Sequence, residues 1–375
     1  MKKKSITYIF GNGRTEKIKS SDDFASEFFY GYIELLNENE EIEIIENNLD
    51  KSKFFSKLFL IVDKILRKLT NLPFYFNEIC SFRNLKKTYQ SDVLIITNDR
   101  LALSMIPLLI IVKLFKSFQI NVFVMGFFGK ERPKYFYWLQ KFFMIVLIKL
   151  CNNFLFLGMG EFNSATNKYK KYKDKFKYFP FCVDYVFWTK NLPNYNKKHY
   201  SSDIIFVGND GNRNFSMLIE IARNLPKLKF NILSSEIQNN PKLPENINLI
   251  KSNWNQSLLS DNEMRKYFSE SKISIIPLKN SLQPSGQSVA LQSMVCKTPV
   301  MISKTKGFWD DKLFKNNENI IFIQENSVGS WIEKINESLN NIEKLNEVSK
   351  NSYSTVSTKL TMENFVSRLW EIIND

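Results

Sequence analysis

The stretch from Ile273 to Gly307, ISIIPLKNSLQPSGQSVALQSMVCKTPVMISKTKG, decides how the chain folds. Ile273 to Ile276 is a short apolar run closed by Pro277, which reads as a buried strand. A polar loop follows, then QSVALQSMVCK at helical spacing, then Pro299 to Ile302 as a second strand. The loop ends Pro284-Ser285-Gly286-Gln287-Ser288, which puts a glycine and two hydroxyls at a helix start, where backbone N–H groups lack partners and the macrodipole is positive. A phosphate is the anion best suited to such a place. Ser288 and Gln292 stand four apart, on one face of the expected helix, and carry hydroxyl and amide donors beside it. The same residues also fit a plain helix capped by Ser285, with Gln292 a solvated amide.

Upstream, the second half of the chain repeats this logic. Asp203 to Val207 (DIIFV) reads as a strand, followed by Gly208, the polar loop Asn209-Asp210-Gly211-Asn212-Arg213-Asn214 and the helix FSMLIEIARNL. Asn214 suits an N-cap, and Arg213 adds a charge-assisted donor at a second helix start. Two such starts in one domain suit a diphosphate gripped from both sides. Further strands are expected at Lys229 to Leu233, Ile247 to Ile250 and Asn319 to Ile323, and helices at Ser257 to Ser269, Ser330 to Asn341 and Met362 to Ile373.

With 375 residues and 44% hydrophobic content, the chain has room for two α/β domains. The four cysteines are scattered without a C-x-x-C pair and no signal peptide precedes them, as expected for a reducing compartment without disulfides or zinc. The single histidine, His199, lies among Lys197, Lys198 and Tyr200 in a linker-like stretch, so a histidine triad is not expected. A net charge of +14 suits nucleic acid or an anionic membrane; no nucleic-acid motif is present, and a basic surface also suits work against lipid heads.

In the first half, strands are expected at Lys4 to Phe10, Glu41 to Ile45, Val93 to Thr97, Asn121 to Met125 and Asn153 to Leu157. Gly11-Asn12-Gly13 follows the first, either as a ligand loop or as an ordinary turn, and a helix is expected from near Ser21-Asp22-Asp23 through FASEFFYGYIELLN. Residues 53–72 place Phe54, Leu58, Ile61, Val62, Ile65 and Leu69 at helical spacing among Lys57, Lys64, Arg67 and Lys68, a pattern that fits either a bilayer interface or a core. The apolar runs Leu101 to Val112 and Phe142 to Ile148 are too short to span a membrane and read as buried helices. Lys168 to Lys177 reads as a solvated helix face. Glu161, directly after the turn Gly158-Met159-Gly160, would face a cleft in a parallel sheet. The polar stretch 189–202 is the expected linker, dividing 1–188 from 203–358, with 359–375 as a final helix.

Taken together, IIFVGNDGNRN, SISIIPLKNSLQPSGQSVALQSMVCKTPVMISKTKG and FLGMGEFN with YFPFCVDYVFW resemble a retaining glycosyltransferase of the GT-B fold, family 4, also called group 1. The resemblance is best over Asp203 to Glu325, moderate over Phe154 to Trp188 and weak before that. It implies an α/β chain of two facing Rossmann-like domains with parallel sheets, the first holding the acceptor, the second the nucleotide-sugar donor, and a last helix crossing back to the first. It implies that Gly208, Asn209 and Arg213 border the donor diphosphate, that Ser285, Gly286, Gln287 and Ser288 touch phosphates or sugar, and that Gln292 faces the ribose. Many relatives carry two glutamates eight positions apart; this chain has Pro284 and Gln292 there, and an amide still bonds ribose hydroxyls.

The expected reaction moves a sugar from a nucleoside diphosphate sugar to a glycan or lipid-linked acceptor in surface polysaccharide synthesis. Arg213 and the helix starts would stabilise the leaving diphosphate. The chain has no D-x-D tripeptide, so neither a metal nor another cofactor is expected. A retaining course needs no strong protein base; an inverting one would use Asp99 or Glu161. A chain that binds a sugar nucleotide without transferring it stays open as a further reading. The expected place is the cytoplasm, with peripheral contact at the inner membrane face through 53–72 as an additional expectation.

Overall fold

The computed structural model describes residues 4–20, 23–38, 41–47, 55–130, 136–194, 199–237, 242–251 and 259–375. Ser21, Asp22, Phe54, Lys197, Lys198 and Ser257, named in the sequence expectations, lie outside them. The chain divides into two compact units: Met1–Asp22, Phe29–Phe179 and Val366–Asp375 form the first, Asp23–Phe28 and Pro180–Phe365 the second. The second unit therefore starts before the linker expected at 189–202 and takes in a short piece of the N-terminal half.

The first unit is built on strands β1 (Ile6–Phe10), β2 (Ile42–Glu46), β3 (Val93–Ile96), β4 (Gln119–Val124), β5 (Asn153–Phe156) and β6 (Phe176–Tyr178), in the order β2-β1-β3-β4-β5-β6. Every pairing is parallel. Parallel sheets are covered on both faces, so their strands read as continuous apolar runs. On one face Ile9, Leu94, Ile96, Val122, Val124, Phe154 and Phe156 join one core with residues of the helices Asp99–Lys113 and Tyr137–Leu150. Each such buried side chain adds about 2 kcal/mol of burial. The helix Phe55–Thr70 packs on this layer through Phe59, Val62 and Leu66.

β6 was not expected, because Lys168 to Lys177 reads as a helix face. The helix stops at Lys168, a 3₁₀ turn covers Lys170–Lys175, and Phe176 then lies among the rings of Phe128, Phe154 and Phe156. Lysine on an edge strand is ordinary, and the charge run conceals the buried rings of Tyr169 and Phe176. The helix expected from Ser21 onwards is also replaced: a short helix spans Arg14–Lys19, another Tyr32–Asn37, and the chain turns between through Tyr30 (φ 53°) and Gly31 (φ 84°).

The second unit repeats the plan with β7 (Ser202–Val207), β8 (Phe230–Leu233), β9 (Ile247–Ile250), β10 (Ser271–Ile276), β11 (Val300–Ser303) and β12 (Ile321–Ile323), ordered β12-β11-β10-β7-β8-β9 and again parallel throughout. Ile204, Phe206, Ile232, Ile273, Ile275, Met301 and Trp331 belong to its core. The chain winds outward from β7 to β9 and returns to place β10 on the other side of β7. Loops after β7 and β10 therefore flank the point where the strand order reverses, the usual place for a ligand crevice in an open α/β sheet. The last helix, Met362–Asn374, begins in this unit, and its residues from Val366 belong to the first, where the carbonyls of Ile372 and Ile373 accept bonds from Gln119 Nε2 and Lys4 Nζ, both at 2.6 Å.

Candidate donor site

The loops at the β7/β10 reversal are tied to each other by their backbones. Arg213 pairs with Leu278, Asn214 N–H donates to the Pro277 carbonyl at 2.9 Å, and Lys279 N–H donates to the Asn212 carbonyl at 2.8 Å. Asn212 Nδ2 adds side-chain bonds to Ser285 Oγ at 2.8 Å and Gln283 Oε1 at 2.9 Å. Asn214 caps the helix Phe215–Asn224 by accepting from Met217 N–H, as its sequence position suggests.

Arg213 is packed between two glycines. A Cβ on Gly208 would overlap its Nε, and one on Gly286 would lie 3.3 Å from Nη1 and 2.8 Å from Ile276 Cγ2, so both positions need the missing side chain. Gly286, at φ 81°, is also the residue before the helix Gln287–Val295, whose start no side chain caps. The guanidinium is buried. Its Nη1 lies 3.2 Å from Asp210 Oδ2 in an ion pair, yet Nε and Nη1 have no hydrogen-bond partner. Burial pushes the guanidinium down from its usual range, while Asp210 pulls it back. Asp210 is itself oriented by accepting from Asn212 N–H at 2.9 Å. A buried cation with unused donors, beside an uncapped helix start, is arranged to receive a doubly charged anion.

Gly208, Arg213, Ser285 and Gly286 thus come together, with Gln287 buried and Ser288 half-buried in the first turn of the helix. Asn209 is turned aside: its Oδ1 accepts from Ser234 Oγ at 3.0 Å and Ser235 N–H at 2.8 Å, which fastens the loop after β8. Gln292 is buried, and its Oε1 has no hydrogen-bond partner. Its Nε2 donates to Glu27 Oε1 at 2.8 Å. Glu27 also accepts from Trp188 Nε1 at 2.9 Å and Asp184 N–H at 3.2 Å. Burial pushes the Glu27 carboxyl up to about 7, with the Gln292 and Trp188 bonds acting against it.

Glu161 lies in the first unit and does not face an open cleft. Its carboxylate is fully buried and accepts from Gly126 N–H at 2.6 Å, Phe128 N–H at 2.7 Å and Gly129 N–H at 3.1 Å, closing the loop after β4. Burial first, then the nearby Asp99 carboxylate, push it up to about 7 against the pull of the three amides. The Gly11-Asn12-Gly13 turn is likewise occupied from within, since Glu46 Oε1 accepts from Arg14 and Thr15 N–H. Sequence reasoning missed Asn212 and Asp210 as site-builders, although both lie in the polar loop it singled out. Nothing in the local sequence marks Glu27.

Comparison with known families bears on the same residues. Residues 189–355 match the family described as glycosyl transferases group 1. The group 1 match contains the whole Arg213 cluster. No curated protein matches the chain by sequence. Solved structures similar to it include a glycosyltransferase from Rickettsia africae (13% identity, TM-score 0.66, covering 100% of this chain and 98% of that one). They also include sucrose-phosphate synthase from Thermosynechococcus elongatus (11%, TM-score 0.67, 99% and 98%) and Anabaena HepE in complex with UDP (10%, TM-score 0.63, 99% of each). At these identities the likeness establishes the fold, which is GT-B.

Proposed function

We propose that this chain is a retaining, metal-independent glycosyltransferase of family 4 that moves a sugar from a nucleoside diphosphate sugar to a glycan or lipid-linked acceptor in surface polysaccharide synthesis at the cytoplasmic face of the membrane. The observation that carries the reading is the buried Arg213 guanidinium, with Nε and Nη1 lacking hydrogen-bond partners, between Gly208 and the uncapped helix start at Gly286. As the glycosidic bond breaks, negative charge collects on the leaving diphosphate. Arg213 and the positive helix end stabilise that charge more in the transition state than in the ground state, which is where rate is gained. Asp210 holds the guanidinium in register, and Asn212 sets the Ser285 hydroxyl beside it. In a retaining course the departing phosphate takes the acceptor proton on the same face, so no protein base is required. Glu161, with three loop amides on its carboxylate, is given no proton-transfer role here. Structures of Anabaena HepE contain UDP and UDP-glucose, which supports a uridine donor.

One observation favours a second reading, a sugar-nucleotide-binding chain without turnover: Gln292, at the place of the second family glutamate, is bonded to Glu27. Thermal shift with UDP, GDP, ADP and CMP tests the shared premise. One nucleotide at 100 times its Kd is expected to stabilise the chain by about 2.7 kcal/mol, and Arg213→Ala to abolish the response. A folded wild type that answers to none of the four overturns both readings. Release of free nucleotide from the matching sugar donor, with an α- or β-product resolved by NMR, then separates transferase from binder.

A further inference from the structure

The helix Phe55–Thr70 carries more apolar surface than the first unit covers. Phe59, Val62 and Leu66 pack inward, whereas Leu58, Ile61 and Ile65, at spacings of three and four on one stripe, are each more than half exposed. The helix Tyr137–Leu150 packs against it in the same layer and exposes Trp138 and Phe142, again each by more than half. Exposed apolar groups in such number mark a docking surface.

Charge identifies the occupant. Lys57, Lys64 and Lys68, at spacings of seven and four, form a second stripe beside the Leu58 stripe. The only acid on that helix, Asp63, is buried and accepts from the amides of Phe76 and Asn77; the Tyr137–Leu150 helix has no acid and adds Lys141 and Lys149. A protein partner's interface core excludes charge, and a second copy of this chain would bring the same cations against themselves. An anionic bilayer accepts both parts, with aliphatic groups below the headgroups, lysine heads at their level and a tryptophan at the boundary. No helix among the described residues is long and apolar enough to cross a membrane, so the contact is one of lying on the surface.

We propose that the Leu58, Ile61 and Ile65 stripe, with Trp138 and Phe142, docks this chain on an anionic lipid surface, held there by Lys57, Lys64 and Lys68. This holds whether or not the chain transfers sugar, and its test does not use activity. The full chain is floated with vesicles of phosphatidylcholine containing about one-third phosphatidylglycerol, and with phosphatidylcholine alone. The wild type is expected to float with the anionic vesicles only. At about five-fold per lysine, the Lys57→Gln/Lys64→Gln/Lys68→Gln variant is expected to partition about a hundred-fold less. A Leu58→Ser/Ile61→Ser/Ile65→Ser variant, with unchanged near-UV circular dichroism, is expected to stay in solution. Wild type that stays in solution overturns the proposal, as does equal flotation with both vesicles. A salt-insensitive dimer that the serine variant dissociates, without flotation of the wild type, overturns it in favour of self-association.

Discussion

Glu161 and Arg213 are both buried charges beyond the carboxyl end of a parallel strand, one in each unit, and they differ in what their polar atoms do. Glu161 spends its carboxylate on three loop amides and leaves nothing open. Arg213 is as deeply buried, but two of its nitrogens have no hydrogen-bond partner and the adjacent helix start is uncapped. A buried polar group without a partner carries a desolvation cost that folding alone does not repay. The satisfied charge therefore belongs to the architecture of its loop, and the unsatisfied one is what the proposed function assigns to a ligand. Sequence position alone treats them alike, since both follow a strand and a glycine.

The largest effect that separates the two is expected at Glu161. Glu161→Gln turns an NH₂ group towards an amide that it must accept from, and at least one of Gly126 and Phe128 loses its acceptor. The expected loss is about 3 kcal/mol in urea unfolding, with nucleotide affinity of the remaining folded protein unchanged. Wild-type stability together with lost nucleotide binding would reverse the assignment.

Next in size is a pH effect at Glu27, the second buried glutamate. Its carboxyl stands at about 7 in the folded chain against an ordinary 4.5. Between these values the folded state keeps a proton that the unfolded state releases, so the contribution is full below about pH 4.5 and is lost as pH rises through 7. Its size is on the order of 3 kcal/mol. Glu27→Gln keeps an oxygen for Gln292 and Trp188 and lacks the titration, so its Tm should gain on that of the wild type as pH rises from 5 to 8. A Tm difference that does not move with pH would mean that Glu27 does not titrate in this window.

These sites also show which parts of the molecule its sequence discloses. Eleven of the twelve strands among the described residues are expected from the sequence, because a strand covered on both faces must be a continuous apolar run, and the polar loops after β7 and β10 stand out because glycine, asparagine and serine cluster there. β6 escapes because its buried ring, Phe176, lies within a lysine run. The long helix expected through FASEFFYGYIELLN is broken at Tyr30 and Gly31, where a Cβ on Gly31 would come within 3.2 Å of Val366 from the far end of the chain. The bond from Gln292 Nε2 to Glu27 is not legible in the sequence, because the two residues are 265 positions apart. Local pattern reports what an element buries, not which distant residue meets it.

The smallest expected effect is the most discriminating. Arg213→Met keeps an unbranched chain as far as the position of Nε, beside Gly208, and removes a buried cation with two nitrogens that lack hydrogen-bond partners. Asp210 then loses an ion-pair partner, but it is partly exposed and can turn to water. If the comparison with Glu161 is correct, the ligand-free variant gains about 1 kcal/mol in urea unfolding, because replacing a buried charge by a packed apolar chain is neutral or stabilising. The same variant loses nucleotide affinity by about a hundred-fold, the scale of a lost charge-assisted contact to phosphate. A loss of 2 kcal/mol or more without ligand would show Arg213 to be a tie between the β7 and β10 loops, like Glu161 in its own loop. Stability gained while binding is lost is what a residue held in place for a ligand must show, because its burial is then offset only when the diphosphate arrives.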